Sequence, residues 1–233
     1  MLSRSVCSAA IVLVILAGAA VAQPTGETRI PCTDDAMIVF DASGSMAGNT
    51  VQGLFSDKTR IDEVRAALAQ VLPEAAKFRK IGLITYGPGP YDQCNVKLNF
   101  PPIPNATERI MSAVNALNPA GKTPLVAAVK QAADVLDYHG TIVLVTDGEE
   151  TCGGAPCALG GMLKAFDHLT VHVIGYQLRA FSWTGPQSIL DVECLAKQTG
   201  GLYITARNRE DLVKAFEKTL GCPMMSFISA PSH

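Results

Sequence analysis

Residues 36–46 read AMIVFDASGSM, and this short stretch decides the fold. Five apolar residues, 36–40, run directly into Asp41, and serines stand at positions 43 and 45. An uninterrupted apolar run of this length is typical of a strand that is covered on both faces. The sequence therefore predicts a buried strand that ends in a polar turn, with three oxygen-bearing side chains at its carboxyl end.

Four further β-rich runs follow along the chain, and segments of helical periodicity lie between the runs. Strands in which almost every residue is apolar, with helices between them, are typical of a parallel sheet covered on both faces. The further predicted strands are Ile81–Tyr86, Thr141–Thr146, Val171–Tyr176 and Leu202–Thr205. Apolar residues recur with helical spacing over 61–72, 110–117, 125–136 and 212–220.

One segment departs from this alternation. Residues 85–100, TYGPGPYDQCNVKLNF, combine a Gly/Pro-rich turn with alternating Val96, Leu98 and Phe100, which predicts a hairpin. The predicted fold class is therefore α/β: a doubly wound, mainly parallel six-stranded sheet with one antiparallel edge strand and helices on both faces. Sheets of this kind bind ligands beyond the carboxyl ends of their strands, where the strand order reverses.

The N-terminus indicates export. Arg4 precedes the apolar stretch AAIVLVILAGAAVA (9–22), which ends in the small-x-small pattern of a cleavage site and is shorter than the roughly 20 residues of a membrane span. We expect a signal peptide over 1–22, a lead-in over 23–35, one domain over 36–222 and a short tail over 223–233. The expected location is secreted or periplasmic, with no membrane span after cleavage.

The amino-acid composition argues against a nucleic-acid partner. The 233 residues are 48% apolar, which suits one domain with a substantial core. Lys and Arg (19) nearly balance Asp and Glu (21), and no basic block stands out. We therefore expect no nucleic-acid partner.

The cysteines predict disulfide bonds. Signal cleavage would remove Cys7 and leave an even number, which is typical of disulfides in an exported chain. A zinc site is the alternative, but no second cysteine or histidine pair completes four ligands. The ends of a domain often lie close together, so Cys32–Cys222 is the predicted pair, and the other four admit three pairings. The candidates are Cys32, Cys94, Cys152, Cys157, Cys194 and Cys222.

Three separate places carry oxygen donors at predicted strand ends or helix starts. They are Asp41-x-Ser43-x-Ser45, Thr123 in AGKTPL (120–125) and Asp147 in IVLVTDGEE (142–150). Each alone also fits a turn, or in the case of Thr123 the N-cap of a helix that begins at Pro124. Together, two carboxylates and three hydroxyls at one end of the sheet form a donor set that suits Mg²⁺.

These motifs resemble a known family. DASGS, the threonine of GKTPL and the aspartate of TDGEE resemble the metal-ion-dependent adhesion site of von Willebrand factor type A (vWA) domains, over roughly 35–221. DGEETCGGAPC and ECLAKQTGGLY are similar to a bacterial exported branch of the family. The resemblance implies a vWA domain whose Ser43, Ser45 and Thr123 ligate a divalent cation directly, while Asp41 and Asp147 act mostly through water. Mg²⁺ is the expected ion, with Mn²⁺ or Ca²⁺ as alternatives.

The resemblance implies a non-enzymatic adhesion module. Its ligand would be a protein or an extracellular-matrix-type molecule with an exposed acidic residue that completes the coordination of the cation. The alternatives are a metal-dependent hydrolase or phosphatase on a similar sheet, and a structural metal with partner binding elsewhere. A phosphate-binding loop at Thr123 is disfavoured because Ala116 stands where that motif needs glycine, and an aspartyl phosphatase needs an acid where Ser43 stands.

Overall fold

A six-stranded sheet forms the centre of the protein in the computed structural model, which describes residues 33–50, 58–89, 93–178 and 187–221. The strand order is β3-β2-β1-β4-β5-β6, and only β3 runs antiparallel to its neighbour. The strands are β1 (Ala36–Asp41), β2 (Ile81–Gly87), β3 (Asn95–Ile103), β4 (Gly140–Thr146), β5 (Leu169–Tyr176) and β6 (Tyr203–Ala206). This arrangement confirms the predicted fold class, and each predicted parallel strand lies within two residues of an observed one.

The described residues form six α-helices and one short 3₁₀ turn (Gly44–Ala47), which lie between the strands except for the last helix, which follows β6. The helices are α1 (Arg60–Ala75), α2 (Thr107–Asn115), α3 (Leu125–Val135), α4 (Pro156–Leu163), α5 (Gln187–Gln198) and α6 (Arg209–Leu220). The first, second, third and sixth correspond to the predicted helical segments, and α1 continues through Pro73. The sequence analysis did not identify α4 and α5.

Two cores lie on opposite faces of the sheet, and the side chains of β1 alternate between them. Ala36, Ile38 and Phe40 pack with α1, α2 and α6, whereas Met37 and Val39 pack with α3, α4 and α5. All five side chains are fully buried. The two-sided cover explains why β1 is apolar at every position rather than at alternate ones.

The two halves of the sheet diverge from the boundary between β1 and β4. From β1 the strands proceed outward through β2 and β3, and from β4 they proceed outward through β5 and β6. The carboxyl ends of β1 and β4 therefore flank the topological switch point, where open α/β sheets place their ligands.

Several predictions lie outside the described residues. They are the signal peptide (1–22), most of the lead-in (23–35), the tail (223–233) and the Cys32–Cys222 pair. Within the described residues, no helix has both the length and the apolar character that crossing a membrane requires.

Candidate functional site

Asp41 and Asp147 stand at the carboxyl ends of the two strands that flank the switch point. Asp41 is the last residue of β1, and Asp147 directly follows β4. The parallel register pairs Phe40 with Val145, so that the next residues along, Asp41 and Thr146, are neighbours on one face of the sheet. Two carboxylates far apart in sequence thus meet at one edge of the sheet.

The Asp41 carboxylate is fully buried and is held by neutral donors. Its Oδ1 accepts a hydrogen bond from the backbone N–H of Ser43 at 2.7 Å, and its Oδ2 accepts one from Thr146 Oγ1 at 2.6 Å. Burial, and next the charge of Asp147, raise the pKa of Asp41 from 3.8 to about 6, against the lowering effect of these hydrogen bonds. A nearby cation would therefore stabilise the ionised form.

Ser43, Ser45 and Asp147 form a continuous chain of oxygen atoms. Ser45 Oγ donates to Asp147 Oδ1 at 2.6 Å and lies 3.1 Å from Ser43 Oγ. Ser43 is buried and Ser45 is exposed, so the chain leads from the interior to the surface. The D-x-S-x-S spacing places both hydroxyls on the Asp147 side of the turn.

Thr123 completes the set from a third segment. Its backbone N–H donates to Thr151 Oγ1 at 2.8 Å, and its carbonyl accepts from the Thr151 N–H at 3.0 Å. Thr123 Oγ1 and Ser45 Oγ each lie 3.6 Å from the point where a Cβ on Gly148 would be. The structure thus brings Asp41, Ser43, Ser45, Thr123 and Asp147 together, and their role as metal ligands stays a prediction.

The predicted capping role of Thr123 is wrong. Helix α3 begins at Leu125, one residue later than expected, with Pro124 in the N-cap position and no side-chain cap from that residue. The carboxylate of Glu150 accepts the N–H of Val126 at 2.8 Å and so satisfies the first turn of the helix from outside it. The Thr123 hydroxyl is therefore not needed for capping.

Glycines allow the loops of the site to approach one another. Gly87 and Gly121 have φ angles of +108° and +75°, in the left-handed region that favours glycine. A Cβ on Gly87 would lie 2.6 Å from the backbone nitrogen of Ser43 and 2.7 Å from the carbonyl oxygen of Ala120. Any larger residue at position 87 would push the Ser43 turn away from the Thr123 loop.

Arg60, the first residue of α1, is a site residue that the sequence analysis missed. Its Nη1 donates to Asp147 Oδ2 at 2.7 Å and to the Ser45 carbonyl oxygen at 3.1 Å. No spacing distinguishes Arg60 from other cations of α1, such as Arg65, because the contact depends on how α1 packs. Thr146 was also missed, although strand alternation and the register of β1 with β4 place it beside Asp41.

Two disulfide bonds confirm the predicted oxidised cysteines among the described residues. Cys94 pairs with Cys152, and Cys157 pairs with Cys194. The first bond joins the connection between β2 and β3 to the loop after β4, beside the Thr123 loop. The zinc alternative is therefore wrong for these four cysteines, and within the described ranges no three His, Cys, Asp or Glu side chains cluster as a zinc centre would require.

The chemistry of the donor set fits a hard divalent cation. Hydroxyl and carboxylate oxygens are the ligands of Mg²⁺, whereas Zn²⁺ prefers nitrogen and sulfur. The buried hydroxyl of Tyr86, the register partner of Asp41, has no hydrogen-bond partner in the described part of the chain. Such a hydroxyl can accept a hydrogen bond from a water molecule of a hydrated ion, and the residues present therefore fit the cation.

Comparison with known sequences identifies the domain family. A family profile described as the von Willebrand factor type A domain matches residues 36–150, which include all five oxygen-bearing residues. The uncharacterized protein YwmC of Bacillus subtilis (strain 168) is 30% identical over 200 residues, which cover 82% of this chain and 84% of YwmC.

Solved structures with the same fold include pilus proteins. The PilB minor pilin from Streptococcus sanguinis matches with a TM-score of 0.60 at 19% identity, over 85% of this chain and 64% of the pilin chain. The pilus adhesin SpaC from Lactobacillus rhamnosus GG matches with a TM-score of 0.62 at 15% identity, over 80% of this chain and 30% of that chain. This chain thus spans less than two thirds of either, and likeness at such identity shows the fold alone.

Proposed function

The chain belongs to the von Willebrand factor type A domain family, and from this premise we propose that it is an exported binding module that captures a protein ligand through a divalent cation. The observation that carries the proposal is the convergence of three hydroxyls and two carboxylates at the switch point of the sheet. Adhesion through an acidic group of the ligand is the chemistry that this donor set supports best.

The chain's own residues divide the work between direct ligation and support. Ser43, Ser45 and Thr123 would hold the cation through neutral hydroxyls, while Asp41 and Asp147 would orient its water molecules and balance its charge. When bound, the cation supplies an electrophilic centre that accepts a carboxylate oxygen. Neutral direct ligands leave most of its positive charge for that acid, and for this reason hydroxyls favour capture of an anionic group.

The hydrolase alternative lacks a supporting observation. Hydrolysis would need a group that accepts the proton of the attacking water, and histidine is the most frequent choice. His139 and His168 stack on each other with ring centroids 4.5 Å apart, and His172 accepts a hydrogen bond from the Leu202 N–H through Nδ1. These histidines serve packing, so we propose a module without enzymatic activity.

Export is part of the same proposal. The disulfide bonds Cys94–Cys152 and Cys157–Cys194 persist in oxidising compartments and are rare where thiols are kept reduced. Together with the predicted signal peptide over 1–22, they support a secreted or periplasmic location. The pilus proteins that share the fold are compatible with that location, although the likeness itself concerns the fold alone.

Calorimetry with metal alone tests the first half of the proposal. Wild-type protein should bind Mg²⁺ or Mn²⁺, whereas Asp41→Ala and the nearly isosteric Thr123→Val should bind either ion at least about tenfold more weakly. Asp167→Ala, which removes an exposed acid, is the matched control and should match the wild type. Unchanged affinity in Asp41→Ala would show that the site is misassigned.

Affinity capture from the native compartment tests the second half. A partner retained in Mg²⁺ and released by EDTA, and not retained by Thr123→Val, would support capture through the cation. A partner retained equally in EDTA would contradict it, since the interaction would then lie elsewhere on the domain. Metal binding that raises the melting temperature without affecting a partner would identify the ion as structural.

A further inference from the structure

We propose that Arg60 makes the metal-loaded site a receptor for a carboxylate, because its guanidinium gives the site a net positive charge that the two aspartates cannot cancel. The inference rests on the proposed function and adds to it the residue that selects an anionic group over a neutral one. Arg60 thereby acts as a specificity-determining residue rather than as a ligand of the cation.

The guanidinium of Arg60 is a fixed part of the site. It lies against the fully buried carboxylate of Asp147 and the Ser45 carbonyl, and its own side chain is only 13% exposed. The backbone N–H of Arg60 donates to the Gly48 carbonyl at 2.9 Å, and a Cβ on Gly48 would lie 3.5 Å from Cζ and Nη1. The positive charge is thus held at the site by packing, unlike that of a solvated surface arginine.

An unsatisfied donor argues against a purely structural ion pair. The Nε–H of Arg60 is buried, and the described residues offer it no acceptor. Burying a guanidinium donor without a partner costs free energy, and structural arginine–carboxylate pairs usually avoid that cost by bidentate contact. Arg209 of α6 and Glu63 of α1 make such a pair, through Nε and Nη2 at 2.8 and 2.9 Å. Arg60 contacts the Asp147 carboxylate through Nη1 alone, and this one-point ion pair favours a role beyond stability.

The charges in the site determine which ligand it attracts. Asp41, Asp147 and Arg60 together carry one net negative charge when both carboxylates are ionised, and this charge repels an acidic ligand. A divalent cation changes the net charge to one positive, which one carboxylate neutralises. Without Arg60 these groups and the cation would carry no net charge, and the loaded site would prefer an acid to an amide less strongly. These net charges count only the three side chains and the cation. Exposed Lys122 and half-buried Glu149 and Glu150 lie in the adjoining loops, and their charges are the same in the wild type and in an Arg60 variant.

The proposal predicts opposite effects on two affinities. Arg60→Met removes a positive charge that repels the cation, so metal binding should become stronger. The same change removes the surplus charge that attracts a carboxylate, so acid binding to the loaded site should become weaker. A residue that only maintained the fold would weaken both affinities together when it is replaced.

The experiment uses Mn²⁺ alone and then acetate, at pH 8, with water-proton relaxation reporting the displacement of metal-bound water. Arg60→Met should bind Mn²⁺ about tenfold more tightly and acetate about tenfold more weakly than the wild type, the scale of one charge pair near a protein surface. Arg60→Lys should keep both affinities close to the wild type, and acetamide should compete with water equally weakly in all proteins. Lys77→Met, which removes an exposed charge beyond the other end of α1, is the matched control.

The outcomes separate this inference from the proposed function. Wild-type protein that binds no Mn²⁺ would overturn both. Mn²⁺ and acetate binding that Arg60→Met leaves unchanged would overturn this inference alone, as would a parallel loss of both affinities. Where Arg60→Met fails to fold, Arg60→Gln carries the same expectation, because it keeps an N–H donor for Asp147 without the charge.

Discussion

Thr146 donates its hydroxyl hydrogen to Asp41 Oδ2 across 2.6 Å, and in this way the end of β4 holds the carboxylate at the end of β1. The two residues are 105 positions apart in the sequence and neighbours in the sheet. The other carboxylate oxygen belongs to the turn that presents Ser43. A buried hydroxyl therefore adds a side-chain contact to the backbone pairing of the two strands on which the site is built.

Thr146→Val keeps the shape of the side chain and removes this hydrogen bond, together with the contacts of Thr146 Oγ1 with the Gly148 backbone at 3.2 Å. We expect the free energy of unfolding to fall by about 1–3 kcal/mol, because the buried Asp41 carboxylate loses a donor. The pKa of Asp41 should rise further, since the Thr146 hydroxyl lowers it. Urea unfolding in EDTA and NMR titration measure the two quantities, and Thr205→Val, at an exposed position of β6, is the control. Equal stability of Thr146→Val and wild type would contradict the role of this contact.

Gly148→Ala should separate metal binding from folding. The added methyl would lie 3.6 Å from both Ser45 Oγ and Thr123 Oγ1, an ordinary contact distance that the fold tolerates. It would fill the space between the two hydroxyls, and metal affinity should fall roughly tenfold or more, the scale that changes beside a metal site produce. Calorimetry and thermal melting measure the two properties. A methyl added by Gly161→Ala on α4 would meet only the Gln198 side chain, at 4.0 Å, and should leave metal affinity unchanged.

The Cys94–Cys152 bond should support the Thr123 loop. Next to Cys94, the Gln93 carbonyl accepts from the Lys122 N–H, and next to Cys152, Thr151 contacts the backbone of Thr123. Replacing both cysteines by serine should lower stability by about 4 kcal/mol or less for a separation of 58 residues and should also weaken metal binding.

The second disulfide bond provides the matched control. Cys157→Ser with Cys194→Ser opens a bond of similar separation, 37 residues, that joins α4 to α5 away from the Thr123 loop. We expect a comparable loss of stability with unchanged metal affinity. Calorimetry at a temperature where all variants are folded compares the metal affinities of the two double variants. Equal weakening of metal binding in both would contradict a local role for Cys94–Cys152.

The stability of the metal-free protein should depend on pH through two opposing groups. Burial, and next the charge of Arg79, lower the pKa of His172 from 6.5 to about 4, so the unfolded chain binds more protons between these values and stability falls as pH falls. Asp41 has its pKa raised from 3.8 to about 6, so the folded protein binds more protons and stability rises as pH falls. Between pH 6 and 4 the two contributions largely cancel.

Asp41→Asn should make the contribution of His172 to the pH dependence of stability visible. Without the Asp41 contribution, the free energy of unfolding should fall relative to the wild type by about 3 kcal/mol between pH 6.5 and 4. His172→Gln should show the opposite trend. Urea unfolding in EDTA at several pH values gives the free energy of unfolding of each variant minus that of the wild type. The contributions of the other titrating groups cancel in this difference. Parallel curves for Asp41→Asn and wild type would show that Asp41 titrates normally.

Much of the fold could be predicted because its signals are local. The apolar strands and the periodicity of α1, α2, α3 and α6 follow from which faces are covered. Helix α4 was missed because Gly160 and Gly161 lower its helix propensity. The structure explains the first of these glycines, since a Cβ on Gly160 would lie 2.9 Å from Leu195 Cα on α5. Close packing between two helices is not visible in either helix alone.

The site, like the fold, has residues that local sequence predicts and residues that only tertiary packing places. The proximity of Asp41 and Asp147 could be predicted because the carboxyl ends of parallel strands lie at one edge of the sheet. The cap at Thr123 was predicted wrongly because Thr-Pro favours a cap locally, whereas Glu150, 24 residues away from Val126, makes the contact. Arg60 was missed because its partner Asp147 lies 87 residues away, and only packing brings them together.

The hydrogen bond from Ser45 to Asp147 joins residues 102 positions apart, and this separation has a consequence for the life of the chain. No contiguous fragment shorter than the two central strands with everything between them contains both halves of the site. Contacts of such long range form late, after the cost of closing a large loop has been met. A newly made chain that has not yet folded therefore lacks the proposed metal site, and we expect metal affinity to appear only after β1 and β4 have paired.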